Sequence, residues 1–252
     1  MNELDLHRWV AWAVIGCGVA SFLLLQFISA PYGRHERSGW GPTLPSRVAW
    51  LLMEAPAVLL WLAVYASGDH ALEAAPLALL GLWQLHYVNR TFIYPFRTRG
   101  KERPMPLLVA LLAFVFQVAN AWLNARQVSH LGSYGAAWLS DPRFLIGVGV
   151  FALGFGINQW ADAVLRALRK PGDTGYSIPR GGLYEYVSAP NYLGEILEWV
   201  GWAIATWSLA GLSFAIFTFT NLAPRAATNH RWYQETFADY PKERRRLIPF
   251  LW

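Results

Sequence analysis

NQWADAVLRALRKPGDTGYSIPRGGLYEYVSAPNYLGEILEW, residues 158 to 199, places two helical runs rich in carboxylates, amides, arginines and tyrosines on either side of a connection broken by Pro171, Gly172, Pro179, Gly181 and Gly182. Both runs belong to apolar segments, 143–166 and 187–206. Polar groups carried into apolar helices need a chemical reason, because ionisable side chains are costly in a bilayer and are functional by default there.

Working outward, the rest of the chain has the same apolar character. Hydrophobic residues make up 55% of the 252 and charged residues only 15%, against about 25% charged in ordinary soluble domains. Seven apolar segments can be drawn, at 8–29, 47–66, 73–95, 105–124, 143–166, 187–206 and 209–223. A span needs about 20 residues, so the last is the shortest fit. The expected fold is an all-α integral membrane bundle of seven transmembrane helices. Basic residues set its orientation: 17 of the 21 Lys and Arg fall in 31–47, 96–104, 166–185 and the tail from Pro224. By the positive-inside rule these regions are cytoplasmic, which puts the N-terminus out and the C-terminus in. The net charge of +5 then reflects loops facing the cytoplasm and gives no reason to invoke nucleic acid. The N-terminus, acidic and without a basic n-region, reads as a retained first helix. The tail HRWYQETFADYPKERRRLIPFLW has the spacing of a helix lying at the interface. Cys17 is the single cysteine, and the six histidines form no HxxxH or HExxH pattern, so no metal site is expected. Glycines 147, 149, 154 and 156 follow no strand and make no GxGxxG, so a Rossmann domain is excluded.

Depth along the spans groups the polar residues. Glu54 lies about eight residues from the inner end of the second span, roughly 12 Å at 1.5 Å per residue. Tyr87 on the third span and Asn158 on the fifth lie at the same level. Glu54 is either a structural carboxyl paired with Arg90 or His86, or an acid working with Tyr87. His86 and Arg90 are spaced i, i+4, and Tyr87, Arg90 and Tyr94 form a stripe that must face protein or water, unless Arg90 reaches the inner surface. On the fifth span Asn158, Asp162 and Arg166 descend at i, i+4 and i+8, with Arg169 a turn below: a solvated groove for a long polar ligand, or an ion-paired helix end. Arg169, Lys170 and Arg180 around the Pro-Gly connection favour the groove, since guanidinium groups suit bidentate phosphate contacts. The sixth span starts near Pro190 and carries Asn191, Glu195 and Glu198 on one face.

These residues sit in ordered blocks: PYGRH at 31–35, Glu54 with Pro56, HYVNRTFIYPF from His86, DPRFLIG from Asp141, LRKPGDTGY from Leu168, IPRGG from Ile178 and NYLGEILEW from Asn191. From about Pro31 to the C-terminus the chain resembles the steroid 5α-reductases, or 3-oxo-5-alpha-steroid 4-dehydrogenases. That resemblance implies an oxidoreductase that reduces the C4=C5 bond of testosterone- or progesterone-like 3-oxo-Δ4 steroids with NADPH. It implies catalytic roles for Glu54 and Tyr87 at the steroid C3 carbonyl. Asn158, Asp162, Arg169, Lys170, Arg180, Asn191, Glu195, Arg225 and Tyr233 fall in the segments of the family's cofactor site. Residues 1–124 would form the steroid-binding half and 143–252 the NADPH-binding half. Met53 stands where relatives commonly carry Gln. Alternative readings are a related sterol double-bond reductase, a membrane methyltransferase, and a proton-coupled transporter, which would be expected to have paired halves with broken helices. The host membrane would be a bacterial inner membrane, toward which the excess of Arg over Lys leans, or the endoplasmic reticulum.

Overall fold

The computed structural model describes residues 2–97, 103–169 and 175–252. Among them are eight α-helices: α1 (Glu3–Phe27), α2 (Ser46–Ala66), α3 (Ala74–Val88), α4 (Tyr94–Arg97), α5 (Leu107–Arg126), α6 (Pro142–Ala167), α7 (Pro190–Thr206) and α8 (Leu209–Thr236). A π turn, Asn89–Ile93, joins α3 directly to the short α4, so the third expected segment is one rod with a wide turn in it. All seven apolar segments are therefore helical. Among the described residues four helices are long and apolar enough to cross a membrane: Glu3–Phe27, Ser46–Ala66, Leu107–Leu131 and Pro142–Ala167. The α3 rod is interrupted by its π turn, and the 17-residue α7 is shortened and carries carboxylates. Side chains such as Phe27 (88% exposed), Val115 (66%) and Leu112 (64%) form an apolar exterior, which suits lipid rather than water.

Two boundaries differ from the sequence reading. The last helix does not stop at residue 223; it runs through Pro224 to Thr236. A proline removes one backbone bond and kinks or breaks most helices, but here the residues on both sides are buried against neighbours. The tail forms no interfacial helix. Residues 237–252 are turns folded under the start of α7, where Ser188 N donates to Arg245 O at 2.8 Å and Arg245 N to Tyr186 O at 2.7 Å. The Ser188 hydroxyl sits 2.6 Å from His230 Nδ1 and 2.7 Å from the Tyr240 hydroxyl, which fastens α7, α8 and the tail together.

The tightest helix pair is α6 against α7. Gly147 and Gly154 on α6, and Gly194 and Gly201 on α7, each recur at seven residues, so both pairs lie along one face of their helix. A Cβ at Gly154 would stand 2.3 Å from Glu198 N and 2.5 Å from Gly194 O; one at Gly201 would stand 2.3 Å from Phe151 N. The two backbones therefore touch, antiparallel, with no side chain between them. The remaining helices pack α2 on α5 and α1 on α8. A buried aromatic cluster of Trp61, Trp83, Tyr87, Trp199, Trp202 and Phe214 fills the centre, and the Trp83 indole donates to Ala57 O at 2.8 Å. A two-residue antiparallel ribbon, Thr43–Leu44 with Met105–Pro106, ties the loops before α2 and α5 together at one end of the bundle.

Gly154→Ala is expected to lower unfolding free energy by roughly 1–3 kcal/mol, the usual cost of overpacking. Gly149→Ala, which meets nothing within 4 Å, should leave stability level or slightly raised. Thermal unfolding of both variants in detergent checks the pair, and equal melting temperatures would contradict the seam.

Candidate active site

The four basic regions converge at the ribbon end of the bundle. The Arg34 guanidinium stands over the rings of Tyr176, Trp232 and Tyr233, at 5.3, 4.9 and 4.8 Å from their centroids. Arg103 and Arg169 approach the same Tyr176 ring at 5.4 and 5.1 Å. One aromatic side chain from the third loop is thus flanked by cations from the first loop, the second loop and the end of α6. Such contacts are worth about 0.5–2 kcal/mol each, and together they draw the loops toward one opening.

Behind that opening lies a cleft of about 250 Å³. It is walled by Trp50 of α2, Arg90 and Tyr94 of the third rod, Asp162 and Arg166 of α6, Asn191 and Glu195 of α7, and Arg225 and Tyr233 of α8. A smaller chamber of about 110 Å³ adjoins it and shares Tyr32, Arg34 and Arg225. Of the expected cofactor residues, Asp162, Arg169, Asn191, Glu195, Arg225 and Tyr233 all line the cleft. Asn158 does not; it is buried in the α6–α7 seam, and its Nδ2 donates to Asn191 O at 3.0 Å. Asn191 Nδ2 in turn donates to Asp162 Oδ1 at 3.1 Å, so the seam fixes the order of this polar ladder. Arg180 is off the cleft wall, with its side chain 58% exposed and 3.5 Å from Asp239. Lys170 lies outside the described residues.

Arg90 does not reach for the inner surface. It is held between Trp50 (4.5 Å) and Tyr94 (4.7 Å) and lies 3.9 Å from Glu195. One turn further in, His86 Nδ1 meets Glu198 Oε1 at 2.8 Å, with both side chains buried. The two carboxylates of α7 thus face a histidine and an arginine of the third rod.

Glu54 of α2 and Tyr87 of the third rod lie off the cleft wall, both buried. Glu54 is not ion-paired to Arg90 or His86 by direct contact. Its Oε2 accepts from Gln117 Nε2 of α5 at 2.5 Å, and that amide nitrogen is 3.3 Å from the Tyr87 oxygen. The expected pair is therefore a trio with Gln117 as the bridge. Met53, beside Glu54, points elsewhere, into an apolar cluster with Ala49, Met105 and Ala110. Tyr87 packs against Trp83 at 4.8 Å and Trp199 at 5.5 Å.

The donors of the cleft suit an anionic, ring-bearing ligand. Among the described residues, Arg34 Nη1 and Arg225 Nε are buried without a hydrogen-bond partner, an arrangement that costs free energy until an acceptor arrives. Arg225 also donates to the Tyr32 hydroxyl. Rings of Tyr32, Trp50, Tyr94 and Tyr176 offer flat surfaces beside those cations. The sequence reading overlooked Tyr32, Arg34, Trp50, Tyr176 and Gln117. The PYGRH block contained two of them, but nothing in it signalled that the loop folds onto α8.

Long apolar helices with a lipid-suited exterior around a cationic cleft mark an integral membrane protein. The family model described as 3-oxo-5-alpha-steroid 4-dehydrogenase matches residues 103–252. The chain is 46% identical to the 3-oxo-5-alpha-steroid 4-dehydrogenase 1 of Bos taurus, over 100% of its own length and 99% of the relative's. It is 47% identical to the Homo sapiens protein of that name, over 99% and 96%. With the steroid 5-alpha-reductase DET2 of Arabidopsis thaliana it shares 43% identity, over 99% and 98%. The chain belongs to the 3-oxo-5-alpha-steroid 4-dehydrogenase family, and it is an oxidoreductase.

The first loop carries a titratable contact at this site. His35 Nε2 is 3.0 Å from Asn229 Oδ1 of α8, and burial pushes the imidazole below its ordinary value, with Arg34 and Arg37 adding to the effect. The bond to Asn229 opposes that shift, so it is the half-buried neutral imidazole whose stability is complete above the unfolded value of about 6.5 and is lost as pH falls through the folded one. The melting temperature should therefore drop between pH 7 and 5, and more shallowly in His35→Asn; equal slopes would exclude the half-buried imidazole as a source.

Proposed function

We propose that the protein is a seven-span membrane reductase, N-terminus outside and C-terminus in the cytoplasm, that reduces the C4=C5 bond of a 3-oxo-Δ4 steroid with NADPH. The observation that carries this reading is adjacency on one rod: Tyr87 faces a buried carboxyl and amide, while Arg90, three residues on, faces the cationic cleft. The names of the relatives, 3-oxo-5-alpha-steroid 4-dehydrogenase and steroid 5-alpha-reductase, support a steroid enone as substrate. A bacterial inner membrane, or the endoplasmic reticulum, would house it.

In this reading Asp162, Arg169, Asn191, Glu195, Arg225 and Tyr233 hold NADPH, and Arg34 and Arg90 assist. Arg34 Nη1 and Arg225 Nε, buried without partners, would offer charge-assisted donors to its phosphates. Asn158 steadies Asn191 from the seam, and Lys170 and Arg180 would add positive charge for the phosphates. When bound, the reduced nicotinamide supplies the hydride.

The helices of residues 1–124 enclose the steroid, with Trp83 as an apolar wall and Trp199 of α7 closing it from the other half. Tyr87 donates its hydroxyl hydrogen to the C3 oxygen. Withdrawing electron density through the enone makes C5 electrophilic, and the charge that reaches the C3 oxygen is held by Tyr87, which Glu54 supports through Gln117. The carbon atom C4 then takes up a proton, which completes the reduction with one hydride and one proton added across the double bond.

Mixing the purified protein anaerobically with NADPH and a Δ4-3-ketosteroid is expected to bleach the nicotinamide absorbance and give a product two hydrogens heavier. No oxidation with any enone by folded protein would refute the reading. Tyr87→Phe and Glu54→Gln should each lower turnover by about 10²–10³, as for loss of an oxyanion donor. Arg225→Ala should instead weaken NADPH binding by roughly 10- to 100-fold, the range for a charged hydrogen bond, with unaltered affinity counting against the cleft as the cofactor site.

A further inference from the structure

From Gln117 a line of buried polar groups runs away from the proposed site, and its other members, Asn120, Asn124 and Trp202, are not used by the chemistry above. The Trp202 indole of α7 donates to Asn124 Oδ1 at 2.8 Å. Asn124 Nδ2 donates to Asn120 Oδ1 at 2.9 Å, and Asn120 Nδ2 to Gln117 Oε1 at 3.3 Å. Gln117 Nε2 then reaches Glu54 Oε2 at 2.5 Å. Trp202 and Asn120 are 0% exposed, Asn124 1% and Gln117 6%, so water does not stand in for a broken link.

The line has a direction. Each amide could in principle be turned over, exchanging its oxygen and nitrogen. An indole N–H is a donor only, so Asn124 must offer Trp202 its oxygen and hand its nitrogen onward. The same choice is then forced on Asn120 and on Gln117. Gln117 accordingly presents two N–H groups, one for Glu54 and one toward the Tyr87 oxygen at 3.3 Å. The opposite contact, Tyr87 donating to Gln117 Oε1, is longer at 3.4 Å, and that oxygen already accepts from Asn120.

We infer that Gln117 is a positioning residue whose polarity is set from Trp202 through Asn124 and Asn120, so that Tyr87 accepts from Gln117 and keeps its own hydroxyl hydrogen for a ligand carbonyl. Were Gln117 reversed, an oxygen would face the Glu54 carboxylate and the Tyr87 hydrogen would be spent on the amide. This inference rests on the reading of Tyr87 as the donor to the C3 oxygen.

The test measures kcat, KM and melting temperature for NADPH-dependent reduction of a Δ4-3-ketosteroid in the full-length protein. Trp202→Phe removes the indole donor and keeps an aromatic ring. Asn124→Asp keeps the acceptor for Trp202 but has no hydrogen to pass on. Each is expected to lower kcat about tenfold, less than the 10²–10³ for losing the donor itself, with KM for NADPH within about twofold. In a Gln117→Leu background Trp202→Phe should cost nothing more, because residues acting through one another are not additive. Folded Trp202→Phe or Asn124→Asp protein with full kcat, or losses that add to that of Gln117→Leu, would overturn the inference. Unchanged turnover in Tyr87→Phe would instead remove the donor reading beneath it, so the two failures are distinguishable.

Discussion

Backbone contact between α6 and α7 is the constraint on which the rest of the site depends. With glycine at four crossing points, the helices approach until main-chain atoms of one meet main-chain atoms of the other. Close-packed interiors do not deform continuously, so the approach fixes rotation as well as distance. Asn158 and Asp162 on one helix are thereby set against Asn191, Glu195 and Glu198 on the next, and the ladder Asn158, Asn191, Asp162 follows as a consequence. From α7 the order passes to the third rod through Glu195–Arg90 and Glu198–His86. Charged groups inside a bundle are tolerated when each has an opposite charge or a hydrogen bond, and the seam is what brings those partners within reach.

The ligand end is organised differently. There the loops and the tail meet around aromatic rings and guanidinium groups, and the packing is completed by cations lying on ring faces. Tyr176 and Tyr233 serve both the wall of the cleft and the joints between loops. Binding an anion there would satisfy buried N–H groups that the protein alone leaves without acceptors, beside the same rings that join the loops.

Much of this was legible in the sequence, for physical reasons. Long apolar runs interrupted by Pro and Gly gave the helices, and rise per residue was enough to put Glu54 and Tyr87 at one depth. The ladder on α6 and α7 was visible because its members are ionisable and recur at helical spacing. Gln117, Asn120 and Asn124 escaped notice because neutral amides on an apolar helix carry no charge to stand out. Pro224 read as a stop, whereas buried neighbours carry the helix through it. The glycines of α6 were judged only against a nucleotide-binding pattern, although their seven-residue interval, shared with α7, was the mark of a helix contact. The cage around Arg34 depends on loops distant in sequence, and local pattern does not encode where such loops land.

The π turn at Asn89–Ile93 has a consequence for how the chain can change. It lies on a rod whose inward face carries Tyr87 and whose next turns carry Arg90 and Tyr94 to the cleft. The two working faces are related by helical rotation alone, with no loop between them to absorb an error. Surface connections generally tolerate insertions, since each doubling of a flexible loop costs only about 0.6 kcal/mol. A residue added or lost between Tyr87 and Tyr94 would rotate one face relative to the other about the rod axis. Length variation among descendants of this chain should therefore collect in its loops, while the eight positions from Tyr87 to Tyr94 behave as a fixed ruler.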